Sequence, residues 1–517
     1  MSNSEQVIKQ TEKEINTKNK KIVKGDSIVE LAVNLALTKK IYLFRDEKKE
    51  GYAKFFQSGC YEIRKIQGRA FKDYLASLVW NEIKKPLCSA AMTDTLNTLE
   101  AIARSKNTEH ELHLRTAWHK KSLWYDLGDW RAVRINSKGW KIVKNPPVLF
   151  KKLGHQRPQT EPVKAGNIRD ILRFVNISQA DQILLLTYLV VALIPDIPRV
   201  ILVIFGDPGS AKTTFFELLK SIIDPSQMET LPLIKNQREL MQLFAHHFAL
   251  FFDNLSYFPD RISDEISMAC TGSSFSKRKL FTDDDDFVYK FKRLIGVNGI
   301  NFLASKSDIL DRSLIFELHR ITNKNMLEKR ELMQEFEKAK PRILGGIFDV
   351  LTEVMRIRKQ GGIKLTEMPR MADYATWSAE VAEAMGEGSQ KFIQAFKKNI
   401  EKQNAEALEA SCIAQAVMKF MGEKEIWEGT GHQFLQELQK LDSDSVLLWS
   451  QDRNWPRTAS WVWKRIKEVR VNLDRADIEA SYNDKVRPRL IKLLNRKFKT
   501  TDSAGSADML SNIKSTF

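Results

Sequence analysis

Residues 200–223 read VILVIFGDPGSAKTTFFELLKSII, and no other stretch restricts the fold as much. The apolar run Val200–Phe205 is short, is bounded by a glycine, and reads as a buried strand. After Lys212 the apolar residues fall at helical spacing, so the loop joins a strand to the start of a helix. That order calls for an α/β domain built on a mostly parallel sheet. It is also the context in which a Gly-rich loop cradles phosphate. Gly206 and Gly209 let backbone N–H groups curl around oxygen anions, and the helix N-terminus adds partial positive charge. The candidate nucleotide-binding loop is therefore Gly206, Asp207, Pro208, Gly209, Ser210, Ala211, Lys212, Thr213 and Thr214. Lys212 is expected to reach the β- and γ-phosphates of ATP, and Thr213 to ligate Mg²⁺. Ala211 stands where the usual pattern has its second glycine. The plain alternative is a turn that only links strand to helix.

A second apolar strand, HFALFFDN, ends in Asp253, forty residues beyond Thr213. An aspartate there is expected to hold Mg²⁺ through water at the edge of the γ-phosphate pocket. The plain alternative is an ordinary strand-end cap. A third strand, RLIGVNGIN, ends in Asn298, which is placed to contact the γ-phosphate or the lytic water. SDILDRSLIFEL then brings Arg312 to the mouth of a last strand, where an arginine finger can reach a neighbour's nucleotide. Its bland use is a surface pair with Asp311, worth little energetically.

These elements, in this order, resemble the AAA+ fold, and more narrowly the superfamily 3 helicase modules of phage, plasmid and viral primase-helicases. The resemblance extends upstream through SLWYDLGDWRAVRINSKGWKIVKNPPVLFKK and downstream through EIWEGTGHQFLQEL and NWPRTASWVWKRIKEV, from about residue 40 to 495. It implies a ring, a hexamer in the family's usual form, with Lys212, Thr213, Asp253 and Asn298 acting in cis and Arg312 in trans. ATP and Mg²⁺ are the implied cofactors, DNA the implied partner, and a primase or polymerase a further one. No acidic metal motif of a primase accompanies it, so primer synthesis is not implied. Asn254 departs from the family, which usually has a glutamate after the aspartate. An amide can orient water but cannot take its proton, so Asn254 implies slow hydrolysis or another carboxylate, with Asp260 and Glu265 as candidates.

In such helicases the segment between the Asp and Asn strands grips single-stranded DNA in the pore. Here KRKLFT and FVYKFK flank the acidic run Asp283–Asp286, as two strands of a hairpin would. Lys277 and Lys279 fall on one face of the first run, Lys290 and Lys292 on one face of the second. Such cations would neutralise backbone phosphates without regard to sequence. The acidic tip departs from the family's basic or aromatic tips, and reads either as a solvated turn or as a sign that DNA lies along the flanks. Between Arg453 and Lys499 there are fourteen lysines and arginines against five acids. Lys464, Arg465 and Lys467 lie largely on the outer side of an amphipathic helix, fit to read duplex DNA such as an origin. A basic lid packed on the ATPase ring is the alternative. Trp455, Trp461 and Trp463 are expected to pack in the core, and Trp118, Trp124, Trp130 and Trp140 in the core or against a hairpin. His246 and His247 are expected to be structural.

Composition narrows the rest. With 517 residues, 43% hydrophobic, the chain can bury several cores, and a net charge of +17 favours a polyanionic partner. Four cysteines without a CxxC pair give neither a disulfide scaffold nor a zinc signature, and imply a reducing, cytoplasmic setting. The apolar stretch 183–205 is broken by Pro195, Asp196, Pro198 and Arg199, so no membrane span is expected. The expected organisation is multidomain α/β. It comprises a flexible tail (1–25), an α+β domain (26–166), an AAA+ P-loop ATPase domain (167–322), a helical lid or connector (323–422), a basic winged-helix-like domain (423–500) and a second tail (501–517). A helix break is expected at Pro341. The leading reading is an ATP-driven DNA helicase or translocase of a phage, plasmid or other mobile element. The alternative is an ATP switch that assembles on DNA without translocating, as an initiator or helicase loader. A small-molecule kinase is a third reading, disfavoured by the basic C-terminal region.

Overall fold

The computed structural model describes residues 27–106, 108–234, 236–255, 260–272, 274–278, 286–290, 292–299, 307–320, 328–366, 369–441, 449–452, 454–483 and 488–497. It opens with α1 (Ile28–Thr38), started by a reciprocal Ser27–Glu30 capping box. Next come β1 (Tyr42–Arg45), β2 (Gly51–Gln57) and β3 (Cys60–Lys65), an antiparallel sheet in sequential order, then α2 (Arg69–Ile83) and α3 (Ser89–Ser105). Alternation sends Leu43, Ala53 and Phe55 into a core shared with the three helices. Phe44, Tyr52 and Ile63 face the other way, towards Leu112, Trp130 and Leu149.

A four-stranded meander follows: β4 (Thr116–His119), β5 (Ser122–Asp126), β6 (Arg131–Asn136) and β7 (Gly139–Lys144). Its inner residues Leu123, Tyr125, Val133 and Ile135 belong to the large core of the central region. The expected 26–166 unit therefore holds two sheets with separate cores. Its second sheet rests on the helix that follows the glycine-rich loop. The Tyr125 hydroxyl donates to Ile222 O and Ile223 O at 3.2 Å, and Gln159 Nε2 to Ile222 O at 2.8 Å. These bonds occupy carbonyls left open at that helix end.

The central region contains α4 (Gln182–Val191), buried from Ile183 onwards, then β8 (Ile201–Phe205) and α5 (Lys212–Ile223). After them come α6 (Gln237–His246), β9 (Ala249–Leu255), α7 (Asp260–Thr271), β10 (Ser274–Arg278), β11 (Asp286–Lys290), β12 (Leu294–Gly299), α8 (Ser307–Leu310) and β13 (Ser313–Glu317). Four strands form a parallel sheet ordered β13-β8-β12-β9, with β8 in its interior. Every residue of β8 is buried, as a two-faced parallel sheet requires. β10 and β11 pair as an antiparallel ribbon.

Three helices continue this core: α9 (Lys329–Lys359), α10 (Ala372–Ala384) and α11 (Ser389–Glu409). Pro341 does not break α9, contrary to expectation. The segment before the central region lies across that part of the helix, with Val163 N donating to Pro341 O and Asn167 N to Arg342 O, both at 3.0 Å. A Cβ on Gly345 would stand 1.7 Å from Val163 O, so glycine is what permits the approach. On α11, Asn399 brackets the outer edge of β13. Its Oδ1 accepts from Ile315 N (3.1 Å), its Nδ2 donates to Ile315 O (2.7 Å), and Gln403 donates to Ser313 O (2.7 Å).

The last unit begins at α12 (Cys412–Met421), eleven residues before the expected start at 423, because α12 packs into the C-terminal core. It continues through β14 (Ile426–Gly429), α13 (Gly431–Gln439), α14 (Ala459–Arg475), β15 (Ile478–Asn483) and β16 (Leu490–Asn495). Its antiparallel sheet is ordered β14-β16-β15. Among the described residues no helix is long and apolar enough to cross a membrane, and all four cysteines are free thiols.

Candidate functional site

The loop from Gly206 to Ala211 hangs between the C-terminal end of β8 and the first turn of α5. A Cβ on Gly206, at φ +142°, would lie 2.1 Å from Leu318 O, so this position admits only glycine. Gly209 is also at positive φ, and Asp207, Pro208 and Gly209 are exposed while Ser210 is fully buried. Ala211 is left-handed at φ +63°, which explains why glycine is usual there. Lys212 folds back on its own loop, donating to Gly206 O at 2.7 Å and Asp207 O at 2.9 Å. Burial draws its pKa down, while Asp207 and Asp253 oppose the shift. Thr213 and Thr214 are half-buried in the first turn.

The Thr213 hydroxyl donates to Asp253 Oδ1 at 3.1 Å. Asp253 is held there by its own backbone, whose N–H donates to Leu231 O at 2.9 Å. Opposite, the β9–β12 ladder shifts register: Val297 pairs with Phe252, but Gly299 pairs with Leu255. Asp253 and Asn254 thus share the width of one residue, Asn298, a bulge that re-aims side chains at the strand end. Asn254 takes the left-handed conformation at φ +56°, and its N–H donates to Asn298 Oδ1 at 2.7 Å. Asn298 is fully buried, and its Nδ2 finds no acceptor among the described residues. Lys212, Thr213, Asp253, Asn254 and Asn298 are therefore brought to one edge of the sheet.

Arg312 is at the opposite edge. Its carbonyl accepts from Ile201 N, the first residue of β8, at 2.8 Å. The five residues of β8 put it roughly 17 Å from the loop. Asp311, its surface partner in the bland expectation, is held by two other arginines. That carboxylate, 4% exposed, is taken by Arg370 and by Arg475, the latter at 2.9 Å. Glu265 is buried on α7, 3.6 Å from Arg261; the Asp260 side chain lies outside the described residues.

In the ribbon, Lys277 pairs with Phe287 and Lys290 with Ser274. Lys279 and Asp283–Asp285 lie outside the described residues, and Asp286 is the first residue of β11. Lys292 is not on the ribbon strand as expected. It donates to Asp196 O, and Arg293 donates to Phe244 O at 2.5 Å, so both anchor the ribbon's return to the central region. On α14, Lys464 and Lys467 are exposed, and Arg465 is half-buried beside Glu468 at 2.9 Å. Trp461, expected in the core, is 44% exposed under Lys464, whose Nζ is 4.2 Å from its ring. Trp463 and Trp455 do pack, on Tyr482 and Trp449. His247 stacks on His155 at 3.9 Å, and burial pushes their pKa values down to about 3 and about 4.

Thr213 and Asp253 offer a hydroxyl and a carboxylate, oxygen donors that suit Mg²⁺, a cation that keeps much of its water. Among the described residues no three His, Cys, Asp or Glu side chains gather to hold a metal unaided. The two residues thus fit a cation that shares its coordination with a bound nucleotide.

No curated protein matches the chain by sequence. Two solved structures resemble its coordinates loosely. The apo C-terminal region of NrS-1 has 12% identity and a TM-score of 0.40, covering 90% of this chain and 98% of that one. SCCmec type IV Cch, described as an active helicase, has 12% identity and a TM-score of 0.43, covering 88% and 93%. Residues 168–404 match the family model of the actinomycete integrative conjugative element replication protein, and 413–504 that of the AICE RepA C-terminal domain. The gap between the two matches falls where α11 gives way to α12. From residue 168 to residue 504, then, the chain is similar to the RepA replication proteins of actinomycete integrative conjugative elements.

Proposed function

We propose that the protein is an ATP-dependent DNA helicase or translocase in the replication of a mobile element, acting as a ring, in the family's usual form a hexamer, with shared nucleotide sites. The observation that carries this is the Thr213–Asp253 hydrogen bond of 3.1 Å beside a Lys-bearing glycine loop. The parallel order β13-β8-β12-β9, with the loop at the end of an interior strand, supports the reading of an AAA+ P-loop core. Bound ATP would draw Lys212 from its own loop carbonyls onto the β- and γ-phosphates. Thr213 and Asp253 would hold Mg²⁺, which neutralises charge on the transferred phosphoryl group. The free Nδ2 of Asn298 would donate to the γ-phosphate or to the attacking water. Arg312 lies too far from the loop of its own subunit, so it would serve the neighbour's nucleotide.

Among the named elements, the C-terminal order helix–strand–helix–helix–strand–strand supports the reading of a winged helix, with α14 as its recognition helix. Lys464, Arg465 and Lys467 there would meet duplex DNA, and Lys277, Lys279 and Lys290 a single strand in the pore. Lys292, which gives one of its three ammonium protons to Asp196 O, would meet that strand at the base of the ribbon.

One observation favours the second reading, a switch that assembles on DNA without translocating. Asn254 puts an amide where a base is needed, locked by its backbone to Asn298. Strand displacement on a forked duplex separates the two. ATP-dependent unwinding that disappears in Lys212→Ala establishes the motor. ATP-dependent assembly on DNA without unwinding establishes the switch, and neither activity refutes both.

A further inference from the structure

Residues 27–166 lie outside both family models, and their first sheet leaves part of one face open. Helices cover the side of Ala53 and Phe55. On the other side Phe44, Tyr52 and Ile63 are buried beneath Trp130 and its neighbours, but the cover stops short of the β2–β3 hairpin. Beyond it Phe56 is 58% exposed, Tyr61 43% and Tyr42 38%. The ladder pairs Phe56 with Tyr61 and Tyr42 with Lys54, so all four share this face.

The rings are arranged rather than scattered. Phe56 and Tyr61 meet edge to face at 5.3 Å, and Lys54 Nζ lies 5.0 Å from the Tyr61 ring. The strip runs into a narrow cleft lined by Tyr61, Trp130, Asn145 and Lys152. There Trp130 has the Arg64 guanidinium at 4.8 Å and Lys152 Nζ at 5.0 Å from its ring. Arg64 is paired with Glu62, however, and the buried Lys152 with Asp126, which leaves Lys54 as the cation open to a phosphate. The Trp130 backbone is left-handed at φ +69°, a conformation a bulky residue rarely holds without a constraint. Leaving such large apolar faces in water is costly, and the Lys54 ammonium set among them opposes an apolar partner surface. Open aromatic faces spaced among cations are what single-stranded nucleic acid recognises: bases stack and phosphates pair.

We propose that this sheet face, centred on Phe56, Tyr61 and Lys54, is a stacking platform for single-stranded DNA, separate from the pore ribbon and from α14. It rests on the reading of the protein as a DNA-acting ATPase. The full chain would be titrated with a fluorescent oligothymidine, and with a duplex of the same length, over a range of salt. Phe56→Ala/Tyr61→Ala should weaken oligothymidine binding about 5- to 100-fold, with duplex binding unchanged. Lys54→Gln should shallow the salt slope by about 0.7. Phe56→Leu/Tyr61→Leu, which keeps apolar bulk without the aromatic faces, should remain weakened; thermal melting of each variant reports the fold. Unchanged affinity in folded variants would overturn the platform while leaving the helicase reading intact. A change in oligomeric state with oligothymidine affinity intact would overturn it too, and make the patch a protein interface. A wild-type chain that binds no DNA would sink both readings.

Discussion

Asp311 at the entry of β13 and Arg475 at the end of α14 are 2.9 Å apart, so the C-terminal unit is tied to the residue beside Arg312. Arg370, just before α10, takes the other oxygen of the same carboxylate. One buried acid thus joins three parts of the chain. Asp311→Asn should cost roughly 2 kcal/mol in stability, since the acid is buried while both arginines are half-exposed. It should also reduce stimulation of ATP hydrolysis by DNA while sparing the basal rate. Denaturant melts and steady-state hydrolysis with and without duplex DNA check both effects; unchanged stimulation would remove any coupling role for this carboxylate.

Ala211 carries the strain of its left-handed backbone at the foot of α5. Ala211→Gly should therefore stabilise the protein by about 1 kcal/mol, opposite in sign to the usual Ala→Gly change at a helix start. ATP affinity should be equal or better. A loss of stability in urea unfolding would contradict the φ assigned to this residue.

Asn254 links a chemical oddity to a backbone one. Asparagine is among the few non-glycine residues at ease in the left-handed region, and the bulge demands that region here. Asn254→Glu should raise the ATP hydrolysis rate at a stability cost of about 1 kcal/mol. A flat rate would mean that proton transfer at this position does not limit turnover. Asn298→Ala should cost about 1–3 kcal/mol by leaving the Asn254 N–H without its acceptor.

His155 and His247 supply a pH test. Their folded pKa values, about 4 and about 3, lie below the usual 6.5 because burial and the nearby Lys220 cation disfavour protonation. The unfolded chain therefore binds protons first as pH falls. Their contribution is full above pH 6.5 and drains away towards pH 4, at up to about 1.4 kcal/mol per pH unit for each ring. Asp224, held low by Lys220 and Arg115, adds to the loss only at more acidic pH. Urea unfolding between pH 4.5 and 7 should show this slope, and His155→Phe should flatten it.

Local patterns make much of the central region legible in the sequence. The strand–loop–helix at 200–223, the aspartate at the end of β9 and the asparagine at the end of β12 fall where apolar runs and glycines put them. What sequence could not supply was set by distant contacts. Trp140 and Tyr125 look like residues of an independent N-terminal core, yet they pack on Phe348, more than two hundred residues away. Pro341 reads as a helix break, but segment 163–167 braces α9 there. Trp461 sits in an amphipathic pattern that three tryptophans blur, so its outward face was not legible. The bulge at Asn254 had one signal, an asparagine at a strand end, which a residue-type rule alone does not decode.

The bracketing of β13 by Asn399 and Gln403 bears on how copies of this protein can meet. A border strand of a parallel sheet offers a row of amides and carbonyls on which another chain can nucleate an intermolecular sheet. Here the outward groups of Ile315 and the carbonyl of Ser313 are already satisfied by α11. Any contact between copies at that flank is confined to side chains, which form and release more readily than a shared sheet. Strand addition, slow to reverse and prone to run on into fibres, is shut out at this border.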